Sequence, residues 1–202
     1  MRMLIACEES QTVCKAFREK GHEAYSCDVQ ECSGGPPEWH LKVDAIELLK
    51  MKWDMIIAFP PCTYMTNAGA VRMRIGGVLQ EERYKKAMEA KAFFMRFFEA
   101  DCPKICIENP TPMKIVGLPP YQQAIQPYWF GHEYSKRTCL WLKGLPPLIP
   151  TMIMEHHEPY VNGGCKDANG NYRKFKGRRE RDQKTRAKTF PGVAKAMAEQ
   201  WG

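Results

Sequence analysis

Short apolar runs alternate with helix-length amphipathic segments along the first half of this chain, and that rhythm restricts the fold more than any other feature. The runs predict strands at residues 3–7, 23–27, 54–59 and 104–107. Apolar residues at helical spacing between them predict helices at 11–20 and 81–100 and a short helix that ends at Lys50. Strands separated by helices favour a parallel sheet covered on both faces, so we predict a doubly wound, mostly parallel α/β fold.

The second half of the chain is less regular. Residues 124–130 and 138–142 predict late strands that pair antiparallel at the sheet edge, and 191–201 predicts a closing helix. No periodicity marks residues 146–188, which we interpret as an insertion. The predicted organisation is a catalytic domain, residues 1–145 plus 189–202, interrupted by a small insertion at 146–188.

Composition restricts the compartment and the partners. With 44% hydrophobic and 26% charged residues in 202, the chain is typical of one globular protein. No apolar run approaches the roughly 20 residues of a membrane span, and no signal-peptide pattern is present, so we expect a cytoplasmic protein without a membrane partner. The nine cysteines lack zinc-finger spacing. We therefore expect no metal; a zinc site of His156, His157 and Cys165 is the minor alternative.

The positive charge is concentrated in one segment. Residues 171–188 contain nine basic and two acidic residues, which equals the net charge of +7 of the whole chain. Such a stretch is the electrostatic footprint of a phosphate-backbone partner, although a solvated loop without a partner remains the alternative. The residues that we assign to nucleic-acid binding here are Arg173, Lys174, Lys176, Arg178, Arg179 and Arg181.

A thiol follows two prolines at the end of the third predicted strand. The sequence there is Phe59-Pro60-Pro61-Cys62. Prolines restrict φ, so this turn has little freedom, and open α/β sheets place their chemistry at the carboxyl ends of strands. A buried structural cysteine would be the ordinary interpretation of Cys62 alone. The next strand, however, also ends in polar residues and a proline, Glu108-Asn109-Pro110.

Together, Pro60-Pro61-Cys62 and Glu108-Asn109-Pro110 resemble two signature motifs of the DNA cytosine-5 methyltransferase family, in the family's order and separation. The resemblance covers roughly residues 3–142 and the final helix, and the compact chain is similar to small phage-borne members. It implies an S-adenosylmethionine-dependent methyltransferase with a Rossmann-like fold, acting on DNA.

The resemblance also implies roles for individual residues. Cys62 would attack C6 of cytosine, since a cysteine adduct makes C5 nucleophilic. Glu108 would hold N3 and supply a proton, for which a raised carboxyl pKa helps. Asn109 would brace the two catalytic loops. Arg137 would contact the carbonyl oxygen of the base.

The implied cofactor is S-adenosylmethionine. Asp28, after the second strand, would bind its ribose, and Asp44 would contact its adenine, although each aspartate alone is typical of a turn or helix cap. The other predicted cofactor residues are Cys7, Glu8, Glu9 and Pro60. The family's first turn is glycine-rich, whereas this chain has Ala6-Cys7-Glu8-Glu9-Ser10-Gln11. Either Glu8 lies near the methionine ammonium of the cofactor, or the cofactor is altered or lost.

The predicted substrate is DNA. A base inside a duplex is unreachable, so the target must be flipped out, and residues 63–77 with Arg72 and Arg74 form a predicted lid over it. The family's large DNA-reading domain is missing, which favours short or relaxed target recognition. Two alternatives remain: modification of a free cytosine nucleotide at C5, and a catalytically silent DNA-binding decoy. A Rossmann oxidoreductase is disfavoured because the first turn lacks Gly-x-Gly-x-x-Gly.

Overall fold

The computed structural model describes residues 1–160 and 182–202, and the secondary structure within those ranges is as follows. The strands are β1 (Arg2–Ala6), β2 (Glu23–Cys27), β3 (His40–Leu41), β4 (Met55–Ala58), β5 (Arg74–Ile75), β6 (Val78–Leu79), β7 (Lys104–Pro110), β8 (Gln123–Ile125), β9 (Tyr134–Ser135), β10 (Thr138–Lys143) and β11 (Glu158–Pro159). The α-helices are α1 (Thr12–Glu19), α2 (Ala45–Leu48), α3 (Glu81–Phe98), α4 (Gln183–Ala187) and α5 (Pro191–Trp201). Short 3-10 helices span Pro37–Trp39, Asn67–Arg72, Lys114–Val116 and Pro127–Trp129.

One seven-stranded sheet organises the molecule, in the order β3-β2-β1-β4-β7-β10-β8. The first five of these run parallel, and β10 runs antiparallel to both of its neighbours. The predicted antiparallel pairing of the late strands is therefore confirmed. The predicted strand 124–130 was too long, because Pro127, which has no N–H to donate, begins a 3-10 turn.

Each buried strand contributes side chains to two hydrophobic cores, one on each face of the sheet. Leu4, Ile56 and Ile105 face the core that contains Phe94 and Phe97 of α3. The alternate residues, among them Ile5, Ile57 and Cys106, face the core that contains residues of α1 and α5. This alternation, which follows from the period of two in a strand, produces the predicted doubly wound, mostly parallel α/β fold.

The order in which strands are added to the sheet reverses between β1 and β4. From β1 the sheet extends through β2 to β3 on one side, and through β4 to β7 on the other. The two central strands are tied just beyond their ends, since the amide of Phe59 donates to the carbonyl of Ala6 at 2.9 Å. Ligands of open α/β sheets bind at the carboxyl ends of strands at such a reversal, so the turns after β1 and β4 flank the expected crevice.

Strand β7 continues beyond its predicted end at residue 107. It reaches Pro110 because β10 pairs with it from Ile105 to Pro110. Glu108 and Asn109 therefore lie within a strand, and their side chains point to opposite faces of the sheet. Glu108 shares the face of Cys106, which belongs to the core of α1 and α5.

Residues 146–160, the first of two described parts of the predicted insertion, pack along the main sheet; the second part, residues 182–188, contains α4. Leu148 is buried in the core of α1 and α5. The indole of Trp201 donates to the carbonyl of Pro146 at 2.9 Å, and Gln200 exchanges two hydrogen bonds with the backbone of Ile149. The division of the chain into two domains stays a prediction. Within the described residues, no helix is both long and apolar enough to cross a membrane.

Candidate functional site

Cys62 lies in a tight turn after the buried strand β4. Pro60 is buried, and the amide of Met65 donates to the carbonyl of Cys62 at 3.0 Å, which closes the turn. The thiol is half-buried. Burial raises its pKa, and the nearby carboxylate of Glu108 raises it further, whereas the cations Lys136 and Arg186 lower it. Cys62 is therefore an electrostatic neighbour of Glu108, as the two motifs predicted.

Glu108 carries a carboxyl group that retains its proton more readily than an ordinary glutamate. Desolvation raises its pKa, and this effect exceeds the opposing influence of Lys136 and of a hydrogen bond with Thr138. A carboxyl group that stays protonated can donate a hydrogen bond to a ring nitrogen. The raised pKa of Glu108 thus suits the role of proton donor that the resemblance implies.

Lys136 is the cation that sequence reasoning missed. The Glu108–Cys62 pair lies beside Lys136, whose charge influences both pKa values. Its amide donates to the Gln126 side chain at 2.9 Å, and its ammonium donates to the carbonyl of Arg186 at 2.8 Å, so the side chain is held in place.

Arg137, the predicted contact of the base, is not brought to this cluster. Its guanidinium is exposed and donates to the hydroxyl of Tyr121 at 3.0 Å. The cation that lies beside Glu108 and Cys62 is therefore Lys136, the neighbour of Arg137 in sequence. Counting back in steps of two from Leu140, which pairs with Glu108, reaches Thr138 and Lys136. That signal exists only once the pairing of the strands is known.

Asn109 joins the two strand ends that carry Cys62 and Glu108. Its side-chain amide donates to the carbonyl of Pro60 at 2.8 Å, and the residue is 1% exposed. The Oδ1 atom of Asn109 is buried without a hydrogen-bond partner among the described residues. The contact with Pro60 holds the turn of Cys62 against β7; a role for Asn109 in catalysis stays a prediction.

Residues 187–190, which precede α5, lie against Glu108 and Lys136. Glu108, Lys136 and Thr138 line a small cavity together with residues 187–190. Its volume is about 20 Å³, which is room for a single water molecule. A pyrimidine ring is larger, so a base reaching Glu108 from this side would have to displace residues 187–190.

The turn after β1 departs from the expectation for Glu8. Glu8 is 5% exposed, and its two carboxylate oxygens accept from the amides of Val13 at 2.6 Å and Cys14 at 3.2 Å. Helix α1 receives no side-chain cap from Gln11, so Glu8 satisfies amides that would otherwise be unpaired. Burial raises the pKa of Glu8 to about 7, although the amide hydrogen bonds oppose this. Both oxygens of Glu8 thus contact the start of α1, and its expected position near a cofactor ammonium stays a prediction.

The backbone of the same turn adopts glycine-like conformations without glycine. Cys7 has a φ of 59° and Gln11 a φ of 56°. This left-handed region costs a residue with a side chain roughly 1–2 kcal/mol. The turn thus reproduces positive φ angles that a glycine-rich turn would adopt easily, and side chains fill the space.

Three of the predicted cofactor residues follow neighbouring strands: Cys7 follows β1, Asp28 follows β2, and Asp44 lies between β3 and α2. Burial raises the pKa of the Cys7 thiol, and the charges of Asp28 and Asp44 add to the effect. One oxygen of Asp28 accepts from the amide of Gln30 at 2.9 Å, and one of Asp44 caps α2 through the amide of Ile46 at 3.0 Å. Their roles toward a cofactor stay predictions, and Pro60 lies across the crevice on the turn after β4.

Glu9 offers the observation that best tests whether these residues fit the cofactor. It is 8% exposed, and its Oε2 atom is buried without a hydrogen-bond partner in residues 1–160 and 182–202. A buried carboxylate without a partner is costly, so this oxygen suits a cationic group from a ligand. Together with Asp28 and Asp44, it fits a nucleoside that carries an ammonium group.

Arg72 and Arg74 lie in the segment after Cys62, and both are exposed. The base of that segment is fixed, because Met65 and Met73 are buried and the amide of Asn67 donates to the carbonyl of Thr111. Its tip is a hairpin of β5 and β6, whose turn consists of Gly76 and Gly77 with φ angles of 57° and 84°. The predicted lid is therefore an ordered hairpin; its contact with DNA stays a prediction.

The other nucleic-acid-binding assignments cannot be placed. Arg173, Lys174, Lys176, Arg178, Arg179 and Arg181 lie outside the described residues. So does Cys165 of the alternative zinc site, while His157 stacks on Tyr128 with ring centroids 3.8 Å apart. Among the described residues, no group of three or more His, Cys, Asp or Glu side chains could hold a metal ion.

Fold and site together define a Rossmann-like α/β protein with a thiol, a carboxyl group and an ammonium clustered at adjacent strand ends. No protein-family model matches the chain, and the comparison with curated proteins finds no similar sequence. Among solved structures, the chain is similar to a candidate DNA modification methyltransferase encoded within a prophage of E. coli, with a TM-score of 0.46 and 15% sequence identity. The overlap covers 82% of this chain and 56% of that one, so this chain spans little more than half of its neighbour's length. A likeness this distant says nothing about activity.

Proposed function

We propose that this protein is a methyltransferase that transfers a methyl group from S-adenosylmethionine to C5 of cytosine in DNA, through a covalent adduct with Cys62. The observation that carries the proposal is the electrostatic coupling of Cys62, Glu108 and Lys136 at the ends of the neighbouring strands β4 and β7. The chemistry requires a thiolate, a proton donor and a positive charge around one pyrimidine.

The cluster can activate C5 in one concerted arrangement. The Cys62 thiolate adds to C6, which breaks the ring conjugation and shifts electron density to C5. Protonated Glu108 donates to N3, where negative charge develops during the addition. The ammonium of Lys136 would stabilise the carbonyl oxygen of the base, the role that the resemblance implied for Arg137.

Binding of the base favours the thiolate of Cys62. In the free protein, the charge of Glu108 raises the pKa of the thiol. A Glu108 that carries a proton and donates it to N3 exerts no such charge. The lowering influence of Lys136 and Arg186 is then no longer opposed by Glu108, and only burial keeps the pKa of the thiol raised. Binding of the base therefore shifts Cys62 toward the thiolate.

Residues that follow β1, β2 and β3 would hold the cofactor, namely Cys7, Glu9, Asp28 and Asp44, with Pro60 across the crevice. S-adenosylmethionine, when bound there, supplies an electrophilic methyl group. After the transfer, the C5 proton leaves to water and Cys62 is eliminated, which restores the aromatic ring. As the thiolate leaves, N3 returns its proton to Glu108 through the same hydrogen bond, which resets the carboxyl group for the next base.

The DNA substrate is supported by the positive charge of residues 171–188 and by the exposed arginines of the hairpin after Cys62. The target base must leave the duplex to reach a thiol at the bottom of a turn. Phosphate contacts position a protein without reading bases, so we propose a short or relaxed target sequence.

Methylation of unmodified DNA by the full chain tests the proposal. With tritiated S-adenosylmethionine, the expected product after nucleoside digestion is 5-methylcytosine, and Cys62→Ser abolishes its formation. Cys32→Ser is a matched control, because Cys32 is likewise half-buried but lies in the loop after β2. Methylation on an exocyclic nitrogen, or unchanged activity in Cys62→Ser, would refute the proposed mechanism.

A catalytically silent decoy is the second candidate, because Glu8 fills the turn that glycines leave open in the family. Activity on free deoxycytidine monophosphate would instead support the nucleotide-modifying alternative. Measured binding of S-adenosylhomocysteine separates the enzymes from a decoy that has lost its cofactor.

A further inference from the structure

Two adjacent carboxylates in the turn after β1 have different surroundings. Both oxygens of Glu8 accept hydrogen bonds from the start of α1. Glu9 is also buried, but its Oε2 atom has no partner in the described part of the chain. Leaving a buried carboxylate oxygen unpaired costs free energy, so Glu9 would gain from a donor that a bound ligand supplies.

The position of Glu9 indicates which group is missing. Its carbonyl accepts from the amide of Ser33 at 2.9 Å, which ties it to the loop after β2. Cys7, two residues earlier, lies in the electrostatic cluster with Asp28 and Asp44. A ligand extending from those aspartates toward Cys62 must pass this turn, because β1 lies between β2 and β4.

The two lysines whose ammonium groups contact the loop after β2 donate to atoms of that loop and not to Glu9. Lys15 donates to the carbonyl of Gly34 at 2.9 Å, and Lys188 donates to the hydroxyl of Ser33 at 3.3 Å. A metal ion is not indicated, since the described residues contain no group of three or more ligating side chains. A sulfonium has no proton to donate, whereas a primary ammonium has three.

We infer that Glu9 binds the primary ammonium of the amino-acid portion of the cofactor, through its unpartnered Oε2 atom. The inference deepens the proposed function and rests on it. It assigns to Glu9 the contact that the sequence suggested for Glu8, and it gives the acidic first turn a purpose that glycines could not serve. Glu8 fixes the turn and the start of α1, and Glu9 contacts the ligand.

Binding calorimetry with two ligands tests the inference without any turnover. One ligand is S-adenosylhomocysteine, which has no sulfonium, and the other is its analogue lacking only the α-amino group. We expect Glu9→Gln to weaken S-adenosylhomocysteine roughly 10- to 100-fold, the range for a hydrogen bond between charged groups. The same substitution should change the affinity for the analogue by less than about twofold.

Two further variants separate binding from folding. Glu38→Gln removes an exposed carboxylate and should leave both affinities unchanged. Glu8→Gln should lower stability and affect the two ligands equally. Equal effects of Glu9→Gln on both ligands, or none, would overturn the inference while leaving the proposed function intact. A wild-type protein that binds neither ligand would overturn the cofactor of the proposed function, and the role of Glu9 with it.

Discussion

Cys62 is surrounded by charges of both signs, and their balance decides how reactive the thiol is. Burial and Glu108 raise its pKa, while Lys136 and Arg186 lower it. The thiolate is the reactive species, so the alkylation rate of Cys62 reports this balance directly. Opposite substitutions in the cluster should therefore have opposite effects.

We predict that Glu108→Gln accelerates alkylation of Cys62 by iodoacetamide, and that Lys136→Met slows it. Each change should be about three- to tenfold, which corresponds to a pKa shift of roughly half a unit to one unit. The rate is measured by peptide mass spectrometry as a function of pH, because Glu108 influences Cys62 only where its carboxyl group is ionised. Glu89→Gln and Lys85→Met, exposed on α3, are the matched controls. Changes of the same sign in both cluster variants would show that Cys62 does not respond to these charges.

Glu8 provides a second prediction at the scale of one residue. Its pKa rises from 4.5 to about 7 on folding, so the folded protein binds more protons than the unfolded chain within that range. Its contribution to stability is therefore present below about pH 4.5 and is lost as the pH rises to about 7. The loss is on the order of 3 kcal/mol.

Urea unfolding of wild type and Glu8→Gln across that pH range measures the contribution. We expect the wild-type free energy of unfolding to fall with pH more steeply than that of Glu8→Gln. Glu108, whose pKa is also raised, contributes the same trend to both proteins and cancels in the difference. Parallel curves for the two proteins would contradict the assignment to Glu8.

At the scale of elements, the hairpin of β5 and β6 projects from a fixed base directly after Cys62. The segment 63–80 contains Arg72 and Arg74 and no acidic residue. Its tip also exposes apolar side chains, with Ile75 and Val78 more than half exposed. Arginines can pair with DNA phosphates and exposed apolar side chains can contact bases, so this combination suits a DNA-binding surface.

We predict that the double variant Arg72→Ala, Arg74→Ala binds DNA more weakly. The slope of log affinity against log salt concentration should become shallower by about one to two, because one to two phosphate contacts are lost. Affinity for S-adenosylhomocysteine should not change, since neither arginine is among the residues assigned to the cofactor. Arg96→Ala, exposed in the last turn of α3, is the control at the opposite edge of the sheet. An unchanged salt slope would exclude the hairpin from the DNA interface.

At the scale of the whole molecule, local patterns predicted the core of the fold. Strands β1 and β2 and helix α5 lie within one residue of their predicted ends, because their apolar periodicity is set by neighbours in sequence. The proximity of Cys62 and Glu108 was also predictable, since carboxyl ends of parallel strands meet at one edge.

The remaining features depend on contacts that are distant in sequence. The extra length of β7 and the choice of Lys136 over Arg137 both follow from the pairing with β10, about thirty residues later. The position of Glu8 follows from unpaired amides of α1, which no side chain of Gln11 satisfies. The basic segment at 173–181 lies outside the described residues, so its role stays a prediction.

Covalent trapping tests the central claim most directly. Cytosine with fluorine at C5 cannot release a proton there, so an enzyme that attacks C6 remains attached to the base after methyl transfer. We predict that the full chain, incubated with S-adenosylmethionine and DNA containing 5-fluorocytosine, forms a denaturation-resistant protein–DNA adduct that maps to Cys62 and is absent in Cys62→Ser. Methylated DNA without an adduct, or an adduct at another residue, would contradict the account.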